Sequence, residues 1–130
     1  MSSELRFHHL GVACRELARS LEFLRMSHPV EDVSAIVHDE VQRADVCLVT
    51  LTDGTRIELV SGPTVEKLVR KGLSYYHVCY EVEDLEGALA AMEAHGCVRV
   101  SGPCAAPLFG GRSVAFVYSP LGLIELLSRQ

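Results

Sequence analysis

Tryptophan is absent from this 130-residue chain, aromatic side chains make up only 6% of it, and basic residues are outnumbered. Each scarcity excludes something. Lys and Arg number 12 against 17 Asp and Glu, for a net charge of −5, and the longest basic run is Arg70-Lys71, so several phosphates cannot be neutralised and a nucleic-acid partner is not expected. No apolar stretch approaches the roughly 20 residues of a bilayer span, which leaves no expected membrane partner. Met1 to Arg6 lacks a hydrophobic signal region, and the expectation is a soluble, cytoplasmic protein. The five cysteines, Cys14, Cys47, Cys79, Cys97 and Cys104, contain no C-x-x-C pair; an odd, scattered set suits neither a disulfide framework nor a zinc knuckle, and reads as reduced thiols. Low-complexity segments are also missing. What is present is 48% apolar residues, enough for one domain with a real core.

The chain repeats itself. A shift of 68 positions lays His9 on His77 and Leu17, Leu21, Leu24 on Leu85, Leu89, Met92; both triplets have the i, i+4, i+7 spacing of an amphipathic helix. A shift of 67 lays Ile57 to Ser61 on Ile124 to Ser128, and Cys47 to Leu51 on Val114 to Tyr118. The predicted elements of repeat one (7–61) are a strand Phe7 to Ala13, a helix Leu17 to Arg25, a weak strand near Val33 to Val37, and strands Val46 to Leu51 and Arg56 to Ser61. Repeat two (74–128) follows with a strand Tyr75 to Val82, a helix Leu85 to His95 ended by Gly96, a short strand near Val98 to Val100, and strands Ser113 to Tyr118 and Leu123 to Ser128. Residues 62–73 read as a linker with a short helix closed by Gly72. The segment Ser101 to Arg112, with its prolines and Gly110-Gly111, reads as a loop suited to be a mobile flap.

Strand alternation then separates faces. Leu10 and Val12 share a row with His8, while His9 lies opposite; Val78, Tyr80 and Val82 form the apolar row of their strand, and His77 lies with Cys79 and Glu81. Glu58 and Glu125 likewise project away from the rows Ile57, Leu59 and Ile124, Leu126. A carboxylate among such neighbours is costly unless it is solvated, paired or bound to a metal. Singly, each of these four reads as an exposed strand residue. Their register is what points elsewhere, since His9 precedes Glu58 by 49 residues and His77 precedes Glu125 by 48. If the repeats pack about a pseudo-twofold axis, His9, Glu58, His77 and Glu125 converge as ligands of one divalent ion: Zn, Co, Ni, Mn or Fe. His8, His28, His38 and His95 lack this register and read as surface or loop residues. Cys47 and Cys79 read as small apolar fillers with access to the same cavity.

Five motifs carry a family likeness: His8-His9-Leu10-Gly11-Val12-Ala13, Ile57-Glu58-Leu59-Val60-Ser61, Tyr76-His77-Val78-Cys79-Tyr80-Glu81-Val82-Glu83-Asp84, Gly110-Gly111-Arg112-Ser113-Val114-Ala115-Phe116 and Gly122-Leu123-Ile124-Glu125-Leu126. With them the chain resembles the vicinal oxygen chelate superfamily of glyoxalases, bleomycin resistance proteins and dioxygenases, most closely the methylmalonyl-CoA epimerase-like members. The resemblance covers nearly the whole chain. It implies a single α+β domain over 1–130, in which two βαβββ repeats form a cupped mixed sheet with the helices outside. It implies a metal held by His9, Glu58, His77 and Glu125, and a substrate chelating that metal through two neighbouring oxygens while a C–H proton leaves to give an enolate.

The resemblance makes Glu125 one acid/base group. The epimerase pattern has a second glutamate where Cys47 stands, so Cys47 is the other candidate, with Glu81 a substitute. Cys79, Gly110, Gly111, Arg112 and Ser113 are candidate substrate contacts. The expected function is a metal-dependent isomerase or lyase acting next to a carbonyl, on a small-molecule acyl thioester or a similar bidentate ligand, in a homodimer. A glyoxalase I-like lyase, a non-catalytic antibiotic-binding protein and an extradiol dioxygenase are the alternatives.

Overall fold

The structure, a computed structural model, describes residues 4–130; Met1 to Ser3, part of the segment read for a leader, lie outside the described residues. The chain divides into two compact units, His9–Tyr76 on one hand and His77–Gln130 with the segment ending at His8 on the other. No helix among the described residues is long and apolar enough to cross a membrane.

In the first unit, strand β1 (Arg6–Ala13) leads into helix α1 (Leu17–Ser27). Strands β4 (Ala44–Leu51) and β5 (Arg56–Ser61) form an antiparallel hairpin, and β5 pairs in parallel with β1, setting Gly11 beside Glu58. The weak strand expected near Val33 to Val37 is two short ones, β2 (Val30–Val33) and β3 (Val37–Asp39), both antiparallel to β4. The predicted stripe of α1 faces this sheet. Leu17 and Leu24 are buried and Leu21 partly so, packed with Cys14, Cys47, Val49, Ile57 and Leu59. After β5 come a 3₁₀ turn, Pro63–Val65, and the short helix α2 (Glu66–Arg70), after which Gly72 takes φ +76°.

The second unit repeats the order as β6 (Tyr75–Val82), α3 (Leu85–Ala94), β7 (Val98–Ala106), β8 (Arg112–Ser119) and β9 (Gly122–Ser128). Strand β6 pairs in parallel with β9, and β9, β8 and β7 follow antiparallel, so the pairing is mixed as in the first unit. Asp84 caps α3, its carboxylate accepting the Gly87 N–H at 3.0 Å. A Cβ at Gly87 would lie 2.3 Å from that carboxylate, so a larger residue here would push the capping side chain aside. Gly96, at φ +90°, turns the chain out of the helix as expected. Leu85, Ala88 and Leu89 pack against Val82, Ala115, Val117, Ile124 and Leu126.

Two expectations are corrected here. The short strand near Val98 to Val100 is nine residues long, broken by register shifts around Ser101. Most of the supposed flap is therefore strand, held to β8 by backbone hydrogen bonds that a loop reading of prolines and glycines does not foresee; only Pro107–Phe109, a 3₁₀ turn, and the Gly110-Gly111 turn remain outside it. The second correction is register. The hairpins pair Leu48 with Glu58 and Phe116 with Glu125, so β4 maps on β8 with a shift of 68, while β5 maps on β9 with 67. A one-residue slip moves a side chain to the other face.

Candidate functional site

Each unit carries one buried His–Glu pair on the sheet face away from its helix. In the first unit, Ile57 and Leu59 enter the cluster under α1, which turns Glu58 to the other side. There His9 Nε2 lies 3.1 Å from Glu58 Oε1, with His9 fully buried and Glu58 6% exposed. In the second unit, Ile124 and Leu126 face α3, and Glu125 takes the opposite face. His77 Nε2 lies 3.1 Å from Glu125 Oε1, with exposures of 4% and 1%. The two pairs occupy matching repeat positions. The reading of each as an exposed strand residue is thereby excluded, and the chemical options of a buried carboxylate narrow to a partner or an ion.

The surroundings differ. The ring of Phe116, which stands opposite Glu125 in the β8–β9 ladder, meets the His77 imidazole edge to face, with centroids 5.3 Å apart. Such a contact fixes the orientation of the imidazole. Cys79 is fully buried on the His77 side, packed with Ala106, Val114 and Leu127 and flanked by Cys104 and Phe109. In the first unit, the residue opposite Glu58 is Leu48, with Val46 and Thr50 on the same row.

Cys47 is not among the groups on that row. It pairs with Leu59, lies fully buried in the cluster under α1 and donates a hydrogen bond to the Ser34 carbonyl at 3.4 Å. Burial raises its thiol pKa above the ordinary 9.0, although the hydrogen bond from Ser34 and the charge of Arg25 work against the shift. Its assignment as an acid/base group is corrected on both counts, because it faces the helix and holds its proton. The family pattern sets Cys47 at the glutamate's place, and the β4–β5 register turns that position toward α1.

Glu81 and Arg112, the substitute base and a candidate substrate contact, are bound to each other. The Arg112 guanidinium donates to Glu81 Oε2, and its Nε donates to the Ser128 carbonyl at 2.7 Å. Burial alone would raise the Glu81 pKa; the hydrogen bond and charge of Arg112, helped by His8 and Arg129, reverse this and hold it below the ordinary 4.5. A carboxyl so held is a poor proton acceptor at neutral pH. Gly110 and Gly111 make a left-handed turn into β8, the Gly111 N–H donating to the Ala106 carbonyl at 3.0 Å. The Ser113 N–H donates to Ser128 Oγ at 3.2 Å, and its side chain shares the row of Ala115 and Val117.

Among the remaining histidines, His28, His38 and His95 are exposed, as read from the sequence. His8 is corrected: it is buried, and its ring meets Phe109 edge to face at 5.5 Å. Phe109, Phe116 and Leu48 carried no signal of their own, because contacts across strands depend on pairing register. All five cysteines are free thiols.

A profile of the Glyoxalase/Bleomycin resistance protein/Dioxygenase superfamily matches residues 8–116. Solved structures share the fold across the whole chain. The methylmalonyl-CoA epimerase of Mycobacterium tuberculosis matches with a TM-score of 0.82 at 17% identity, covering 100% of this chain and 92% of the other. A hypothetical protein of Bacillus halodurans gives 0.78 at 19% identity, with coverage of 100% and 96%. A Streptomyces coelicolor methylmalonyl-CoA epimerase variant in complex with 2-nitronate-propionyl-CoA gives 0.78 at 20%, with 98% of each chain covered. No curated protein matches the chain.

Proposed function

Starting from the fact that the chain belongs to the Glyoxalase/Bleomycin resistance protein/Dioxygenase superfamily, we propose that it is a divalent-metal-dependent isomerase or lyase that abstracts a proton next to a carbonyl. The observation that carries the proposal is the twinned pair of buried His–Glu contacts, His9 with Glu58 and His77 with Glu125, each at 3.1 Å. Two imidazoles and two carboxylates are the mixed nitrogen and oxygen donor set that Zn, Co, Ni, Mn or Fe accepts. These four residues would hold one ion between them. When bound, that ion supplies an electrophile for two neighbouring oxygens of the substrate and stabilises the negative charge of an enolate.

The chain's own residues account for the proton. Glu125 is the acceptor: it is buried and flanked in its ladder by Phe116, a water-excluding neighbour. His77, braced by Phe116, keeps its imidazole against Glu125 and so fixes which carboxylate oxygen is presented. Within the first unit, the β4 row on the Glu58 face is Val46, Leu48 and Thr50, with no second acid or base among them. This favours removal and return of the proton from one side of the carbon over inversion between two bases. The substrate class is an acyl thioester, in line with the acyl-CoA ligand of the Streptomyces coelicolor structure, or a similar bidentate oxygen compound.

Metal analysis and isotope exchange test the reading together. The purified chain should carry one divalent ion, lose it in each of His9→Ala, Glu58→Ala, His77→Ala and Glu125→Ala, and catalyse exchange of the α-proton of methylmalonyl-CoA or a hemithioacetal in D2O. Two ions per chain, or exchange that survives Glu125→Gln, would overturn it.

A further inference from the structure

The helix side of the first unit holds a cavity of about 620 Å³ that the His–Glu pair does not enter. Its floor is Val12, Leu24, Ile57 and Leu59, all packed into or against the α1 cluster. Phe23 and Tyr75 line it while remaining 58% and 73% exposed, so they form an apolar rim that water covers only at a cost. Two cations, Arg15 and Arg19, stand in the same lining with one anion, Glu16. Neither arginine makes an ion pair or side-chain hydrogen bond among the described residues, whereas Arg70, Arg99, Arg112 and Arg129 each hold a carboxylate.

The repeat supplies a control. The matching groove beside α3 measures only about 230 Å³ and is lined by Ala88, Ala91 and Met92 where the first unit has Ser20, Phe23 and Leu24. At the positions of Arg15, Glu16 and Arg19 it has Glu83, Asp84 and Gly87. Wide apolar walls and a cationic mouth therefore occur together in one half and are both missing from the other. A fold requirement would act on both halves alike.

We infer that this cavity is a binding site for a small amphipathic anion, an aliphatic or aromatic carboxylate whose apolar body rests on the Val12, Leu24, Ile57 and Leu59 floor while its charge meets Arg15 and Arg19. The volume falls within the range of ligand sites, and an apolar pocket with few convergent charged groups is their usual make-up. The inference is independent of the proposed activity, which uses the opposite face of the sheet.

The absence of tryptophan makes the test clean. In a Phe23→Trp full-length chain the introduced indole is the sole reporter, and titration with decanoate should shift its emission saturably, with decanol at least tenfold weaker. Adding Arg15→Gln and Arg19→Gln should weaken decanoate at least about tenfold and leave decanol unchanged, since only the carboxylate uses the two guanidinium charges. Metal content should not change. Three results would overturn the inference: no response to millimolar decanoate, equal response to decanol, or an emission that depends on protein concentration in step with dimerisation in the ultracentrifuge, which would make a second copy the occupant. Should the indole disturb the cavity, displacement of 1-anilinonaphthalene-8-sulfonate from the unmodified chain gives the same comparison.

Discussion

The two halves place the same pair of donors on the same face with the same 3.1 Å contact, and differ in nearly everything around it. The second half braces its histidine with Phe116 and closes the neighbourhood with the Glu81–Arg112 ion pair and the Cys79 cluster. In the first half, Leu48 stands where Phe116 does, Ala13 matches Glu81, and the nearest counterpart of the half-buried ion pair is the exposed contact of His38 with Asp45 at 2.8 Å. Under the proposed function, metal ligation would need both halves alike, in line with the matched donors, whereas proton transfer and ligand selection would need one side to differ from the other. A duplicated fold can thus hold an ion symmetrically and act on a substrate asymmetrically.

Substitution at the paired donors gives the largest expected effect. Under the proposed function, Glu125→Gln should lower turnover by about 10²–10⁴-fold, the range of a lost general base. His77→Ala should abolish it, and Glu58→Ala should act first on metal affinity, read as metal bound after dialysis. Equal losses of turnover per bound metal in Glu58→Gln and Glu125→Gln would erase the asymmetry. Next comes the core. Leu89 of α3 is fully buried while its repeat partner Leu21 is only partly so; Leu89→Ala should cost about 2–5 kcal/mol in urea unfolding, and Leu21→Ala clearly less.

How far the sequence discloses this molecule follows from which features obey a local rule. The helices were legible because apolar spacing reports directly on the buried stripe, as with Leu17 and Leu24 or Leu85 and Leu89. The faces of Glu58 and Glu125 were legible because alternation along one strand needs no knowledge of its neighbours. Matching one strand to another does require that knowledge. The shift of 67 holds for β5 on β9 but misses β4 on β8 by one residue, and a likeness to a family pattern likewise gave no strand register that would have shown Cys47 facing α1. Strand β7 was hidden by Gly102 and Pro103, which interrupt its ladder without ending it. His8 reads as a surface residue because one of its contacts, the ring of Phe109, comes from about a hundred positions away.

Two smaller predictions sharpen the comparison on the helix caps and the ion pair. Asp84 caps α3 through its side chain, whereas Glu16 at the same position of α1 makes no side-chain cap. Asp84→Ala should cost about 1 kcal/mol and Glu16→Ala close to nothing, measured as changes in unfolding free energy. The ion pair concerns only the second half. Because Arg112 and its neighbours outweigh burial and hold the Glu81 pKa below 4.5, the folded state binds this proton less readily than the unfolded chain does. The stabilisation is therefore complete above about pH 4.5 and is lost as pH falls through the lower, folded value. With both side chains about one quarter exposed, its size should be about 1 kcal/mol or less. The unfolding free energy of the unaltered chain minus that of Glu81→Gln should accordingly hold steady from pH 7 to pH 5 and shrink below it. A difference that instead grew on acidification would mean that burial prevails over Arg112, which would make Glu81 a proton acceptor after all and give the second half a second base.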